Sequence, residues 1–95
     1  PSFRCVSRDI AIVVGEVVPS GDVHRVITSA GGELLKRVQL FDLYQGEHLE
    51  TGKKSLAFSL TYFDPERTLT DEEVTKVHQG VLDKLQEEVN AVLRG

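Results

Sequence analysis

Tyr44, Asp42 and Ser55 are the side chains of this 95-residue chain whose types suit a flat, hydrogen-bonding ligand such as a nucleobase. A tyrosine ring stacks on a base for about 1 to 3 kcal/mol. A carboxylate accepts hydrogen bonds from base N–H groups, and a hydroxyl both donates and accepts. Lys53 and Lys54 directly precede Ser55, and Arg8 opens an earlier apolar run, so a small basic rim could meet phosphates beside such a base. Each residue also has a plainer reading. Tyrosine and serine occur on many solvated sheet faces, lysines at a loop end often only solubilise, and Arg67 can pair with its acidic neighbours as readily as touch RNA.

Catalytic chemistry has little to work with. His24, His48 and His78 show no metal-ligand spacing such as a pair four apart. The single Cys5 forms neither an internal disulfide nor a thiolate cluster, and nothing in the sequence activates it. Phosphate loop, nucleophile elbow and dinucleotide fingerprint are all missing.

Composition sets the frame for these residues. At 40% hydrophobic and 27% charged, the chain reads as one ordinary globular domain spanning 1–95, with a thin two-layer core. No apolar run approaches the roughly 20 residues of a membrane span. Eleven Lys plus Arg against fifteen Asp plus Glu leave a formal charge of -4, which disfavours general polyanion binding. A start at Pro1 with no methionine anywhere leads us to expect a fragment of a longer, cytoplasmic protein.

The elements that must position the candidate residues follow from periodicity. Arg8 to Val14 alternates and predicts a strand, after which Gly15 to Pro19 forms a loop. Ser20 is the expected N-cap of a short helix carrying Val23, Val26, Ile27 and Ala30 and ending at Gly31-Gly32. Strands are expected from Glu33 to Tyr44 and from Lys54 to Phe63, joined by a glycine-containing loop as an antiparallel pair. Thr70 and Glu73 fit a capping box, with Leu69 and Val74 as its hydrophobic staple, before a helix whose apolar stripe runs from Val74 to Val89. Asn90 to Arg94 is expected to be a short last strand.

Two helices with one apolar stripe each, in the order βαββαβ, predict an α+β ferredoxin-like sandwich. Its four-stranded antiparallel sheet has both helices on one face, with the first and third strands central. Parity then sends Ile10, Ile12, Phe41, Leu43, Leu56, Phe58 and Leu60 towards the helices. Asp9, Ala11, Asp42, Tyr44, Ser55, Ala57 and Ser59 point the other way, and the small ones leave room for a flat ligand. A hairpin register with Tyr44 opposite Ser55 and Asp42 opposite Ala57 groups ring, carboxylate and hydroxyl. Val38 and Leu40 share the parity of Asp42, so the strand needs a bulge, or part of this face is covered.

Five stretches in order carry a resemblance: Arg8-Asp9-Ile10-Ala11, Gly31-Gly32, Leu40-Phe41-Asp42-Leu43-Tyr44, Gly52-Lys53-Lys54-Ser55-Leu56-Ala57-Phe58 and Arg67-Thr68-Leu69-Thr70-Asp71-Glu72-Glu73. Together they resemble the C-terminal anticodon-binding domain of the bacterial phenylalanyl-tRNA synthetase beta subunit. The resemblance implies an accessory domain that binds the anticodon of phenylalanine tRNA on its open face, with base contacts at the positions of Asp42, Tyr44 and Ser55. Ala57, Lys53 and Lys54 complete the expected RNA-binding set. It further implies a parent ligase using ATP and magnesium on its alpha subunit, in an assembly of two alpha and two beta chains, with no catalysis and no cofactor in this domain.

Other functions share this strand order. An acylphosphatase-type enzyme needs an arginine in the loop after the first strand, and Gly15-Glu16-Val17-Val18-Pro19 has none. A stand-alone regulatory module would bind an amino acid and dimerise with it. A generic single-strand binder wants two or three aromatics on the central strands, whereas Phe58 and Tyr62 have the parity of the covered face.

Overall fold

The computed structural model describes residues 4–94. Strand β1 (Val6–Gly15) leads into helix α1 (Ser20–Gly31) and a single 3-10 turn at Gly32–Leu34, followed by β2 (Leu35–Tyr44) and β3 (Lys53–Tyr62). Helix α2 (Asp71–Val89) and the two-residue β4 (Val92–Leu93) complete the chain. The antiparallel sheet has the order β2-β3-β1-β4, as the ferredoxin-like expectation requires.

Alternation on the two central strands builds the core. Ile10, Ile12 and Val14 of β1 and Leu56, Phe58, Leu60 and Tyr62 of β3 are all at most 5% exposed. They meet Val23 and Ile27 of α1 and Val74, Val81 and Leu85 of α2. Each such side chain stabilises the fold by about 1.5 to 3 kcal/mol. Tyr62 keeps its polar end satisfied, with Oη 3.0 Å from Nδ1 of His78. His24 donates through Nε2 to the carbonyl of Val38 at 3.1 Å, tying α1 to the edge strand β2.

Capping divides the two helices. At α2, Thr70 accepts from the Glu73 backbone and Glu73 returns a bond to the Thr70 backbone at 2.8 Å, the reciprocal box expected from sequence. Leu69 and Val74, the staple pair, are both buried. At α1 the expectation fails: Ser20 is the first helical residue rather than the cap. The cap is Pro19, whose extended backbone (ψ 140°) turns its carbonyl onto the amides of Asp22 and Val23. The last strand is also shorter than expected, because Asn90 adopts the left-handed conformation (φ 56°) that ends α2.

The second strand departs most from simple alternation. Its pairing with β3 shifts between Leu40 and Asp42, leaving Phe41 as an extra residue in a β-bulge. Val38 and Leu40 lie opposite Leu60 and Phe58, on the helix side, and pack against the core. Past the bulge, Asp42 lies opposite Ala57. Phe41 and Leu43, expected to be buried under the helices, are instead 55% and 49% exposed. Phe41 has no partner in the ladder. Leu43 faces Leu56 but sits at the end of an edge strand, which has a neighbour on one side only.

Candidate nucleic-acid interface

The face of the sheet away from the helices is organised in rows by the strand register. Tyr44, Ser55 and Val13 form one row, and Asp42, Ala57 and Ala11 the next. The bulge at Phe41 makes this possible, because without it the parity that buries Val38 and Leu40 would turn Asp42 and Tyr44 towards the helices. Tyr44, Asp42, Ser55 and Ala57 therefore come together on one surface, as the sequence indicated. Among the described residues, the Asp42 side chain makes no hydrogen bond and is exposed, so its carboxylate is free to accept one.

Arg94 completes this surface, and sequence reasoning missed it. Its backbone amide donates to the Ala11 carbonyl at 2.8 Å, extending the β4 pairing by one residue and placing the side chain on the open face. Ala11 offers no bulk to block it. The guanidinium crosses the central strands, donates through Nη1 to the Ser55 hydroxyl at 3.2 Å, and stands 5.2 Å from the centre of the Tyr44 ring. That cation–π contact and hydrogen bond explain why Ser55 is only 4% exposed on an otherwise open face. The missing signal was the register of β4, which two residues of ladder cannot announce in a sequence.

The loop after β2 holds the ring from its other end. Gly46 packs so closely on Tyr44 that a side chain there would collide with the phenol oxygen and with Cζ and Cε1 of the ring. Gly52 serves a different need, since its φ of +86° lies where only glycine is relaxed. Its carbonyl accepts from the Glu16 amide at 2.8 Å, which locks the β2–β3 loop onto the β1–α1 loop.

The expected basic rim is reduced. Lys53 shares the parity of Ser55 and is half-buried at the end of the open face. Lys54 does not join it. It lies opposite Val14, on the helix side, and is 9% exposed. Neighbours in a strand point to opposite faces, so two adjacent lysines cannot both flank Ser55. Arg8 is likewise on the helix side, opposite Leu60, and donates to Thr75 of α2 at 3.3 Å. Arg67 is committed to structure. It forms two 2.7 Å bonds to Glu73 and a 3.3 Å ion pair with Asp64, and with the Thr70 amide it holds the Glu73 carboxyl down to about 2.

Phe58 and Tyr62 are fully buried and offer the face no stacking. His24, His48 and His78 stay on separate elements. Among the described residues no group of three or more His, Cys, Asp or Glu side chains could hold a metal ion, and no helix is long and apolar enough to cross a membrane. A shallow groove of about 410 Å³ runs between α1 and α2, lined by Arg25, Val26, Ser29, Ala30, Lys84 and Glu88. It lies on the helix side and shares no residue with the surface around Tyr44.

Comparison with known proteins identifies the family. Residues 1–94 match the family model described as the ferredoxin-fold anticodon binding domain. The chain is 63% identical over 95 residues to the phenylalanine–tRNA ligase beta subunit of Halalkalibacterium halodurans and 57% identical over 95 residues to that of Bacillus subtilis. It is also 58% identical over 94 residues to the same subunit from Bacillus cereus. These alignments cover 99 to 100% of the chain but only 12% of each relative.

Proposed function

The chain belongs to the ferredoxin-fold anticodon-binding domain family, and from that membership we propose that it reads the anticodon of phenylalanine tRNA on its open sheet face. The observation that carries this reading is the grouping of Tyr44, Ser55, Asp42 and Arg94 on one surface. A base stacks on the Tyr44 ring in the place the guanidinium holds. The guanidinium turns its N–H donors to the base edge or to the adjoining phosphate. Asp42 accepts from base N–H groups, Ser55 completes the polar edge, and Ala57 leaves the approach clear. Lys53 is the phosphate contact. Lys54 has no role in it.

This recognition needs little positive charge, which reconciles RNA binding with a formal charge of -4. The acidic run Asp71, Glu72 and Glu73 is on α2, behind the sheet, where it complements the positive end of the helix. By the same reading the domain is an accessory part of a beta subunit in a cytoplasmic phenylalanine–tRNA ligase of two alpha and two beta chains. ATP and magnesium act elsewhere in that assembly. An amino-acid-binding regulatory module is not favoured by the family match.

The test is titration of the chain with a phenylalanine anticodon stem-loop, observed amide by amide. Tyr44→Ala should weaken binding by about 1 to 3 kcal/mol while Tyr44→Phe stays near the parent, because stacking needs the ring and not the hydroxyl. Equal affinity of the Ala variant, or shifts confined to α1 and α2, would remove Tyr44 from the binding site.

A further inference from the structure

The Arg94 guanidinium stands 5.2 Å from the centre of the Tyr44 ring and donates to the Ser55 hydroxyl at 3.2 Å. The stacking platform is thus covered by a side chain of the same domain. We infer that Arg94 is a lid which yields to ligands that offer it a phosphate, so that the site admits a nucleotide within a phosphodiester chain and resists free nucleosides and other flat aromatic molecules. This inference rests on reading the face as an RNA surface with Tyr44 as its platform, and adds what controls access to it.

The guanidinium is the part able to move. The Arg94 backbone is fixed by its amide bond to the Ala11 carbonyl at 2.8 Å, which continues the Ile12–Leu93 and Val13–Val92 pairs of β4. The Tyr44 ring cannot retreat, because Gly46 packs against its phenol end. Ser55 belongs to the central strand β3. Among the described residues Arg94 forms no ion pair, and its side chain makes only the bond to Ser55, so most of its N–H donors are uncommitted.

Opening the lid has a cost that depends on the ligand. It gives up the cation–π contact and leaves the Ser55 hydroxyl, 4% exposed, without its partner. Together these hold the lid shut by about tenfold, and a ligand that needs the open state binds more weakly by the same factor. A nucleoside leaves the guanidinium to water. A phosphate beside the stacked base instead accepts both arms of the fork, in a charge-assisted bond stronger than the neutral one to serine. Lys54 and Arg8 lie on the helix side and cannot take over that phosphate. Stacking and backbone contact therefore occur together.

Titration of the chain with adenosine, adenosine 3′,5′-bisphosphate and the phenylalanine anticodon stem-loop, followed by NMR, reads the lid directly. The Arg94 Cδ protons of the free chain should be shifted upfield by the Tyr44 ring and should lose that shift as the stem-loop saturates. Arg94→Ala should bind adenosine about five- to tenfold more tightly than the parent and the bisphosphate about tenfold more weakly. Loss of a simple contact does not produce such a crossing. The backbone makes the β4 ladder, so circular dichroism of the variant should match the parent. Adenosine binding that is unchanged or weaker in Arg94→Ala, or an Arg94 shift that persists at saturation, overturns the lid; the Tyr44 platform stands where Tyr44→Ala still weakens all three ligands. Unchanged bisphosphate affinity in Arg94→Ala overturns the phosphate requirement. If Tyr44→Ala changes none of the three ligands, the reading of the whole face fails and the inference fails with it.

Discussion

Replacing Gly46 by alanine tests whether ring placement, and not merely the presence of a ring, matters for RNA binding. Gly46 lacks the positive φ that would demand glycine, so an alanine there is tolerated by the backbone. Its Cβ would nevertheless lie 2.7 Å from Cζ of Tyr44, well inside van der Waals contact. The ring is the part that must yield, because it is the far end of a half-buried side chain and not a backbone strand. Two small effects on stability then oppose one another: alanine restricts the unfolded chain by about 0.4 to 1 kcal/mol, and the displaced ring loses an exposed cation–π contact of about 0.5 to 1 kcal/mol with Arg94. Stability should therefore change by less than about 0.5 kcal/mol. Binding should suffer more, losing up to the full stacking contribution of about 1 to 3 kcal/mol.

Urea denaturation and stem-loop titration of Gly46→Ala, Tyr44→Ala and the double variant form a cycle that isolates this coupling. The double variant should bind no worse than Tyr44→Ala alone, because once the ring is gone the methyl at position 46 has nothing to displace. Additive losses would show that Gly46 acts through the loop and not through the ring. Parent-like RNA affinity in Gly46→Ala would show that the ring position is not what the RNA uses.

Other tests concern the scaffold. Thr70→Ala removes the cap of α2 and should cost about 1 kcal/mol, lowering the melting temperature by about 4 to 8 °C. The Glu73 carboxyl, held down to about 2 from 4.5, contributes stability that is present above pH 4.5 and lost as the pH falls towards 2. In Glu73→Gln the acid limb of the stability profile should be flatter. An unchanged limb would show that the Arg67 bonds open in solution. His78 is held below its ordinary 6.5 by burial and by the nearby Arg8, and its Nδ1 meets the Tyr62 hydroxyl, so it folds in the neutral state. As the pH falls below about 6.5 the unfolded chain takes up a proton that the folded chain resists, and stability declines until the folded imidazole also protonates. Tyr62→Phe should cost about 1 kcal/mol by denaturation at neutral pH, and no loss there would mean that the 3.0 Å bond adds nothing over water.

Patterning along the chain determined most of the architecture. Strict alternation from Lys54 to Tyr62 specified a central strand and its two faces, and the Thr70–Glu73 box marked the start of α2. Parity and hairpin pairing also assembled Tyr44, Asp42, Ser55 and Ala57, because short-range rules govern how neighbouring strands meet. The errors have local causes. The expected burial of Phe41 fails at the bulge it occupies, that of Leu43 fails because it ends an edge strand, and Lys54 cannot join Ser55 because adjacent side chains point apart.

Only the tertiary structure brought in Arg94. Its role depends on a contact thirty-nine residues away in sequence, with Ser55, and on the absence of bulk at Ala11. No periodicity encodes that contact, since it is set by how α2 returns the chain to the sheet edge. The same holds for Gly46 beneath the Tyr44 ring, where the close approach belongs to a folded loop. Sequence alone thus determined which face is open and which residues line its centre. Packing between distant segments decided how the tyrosine ring is held and what covers it.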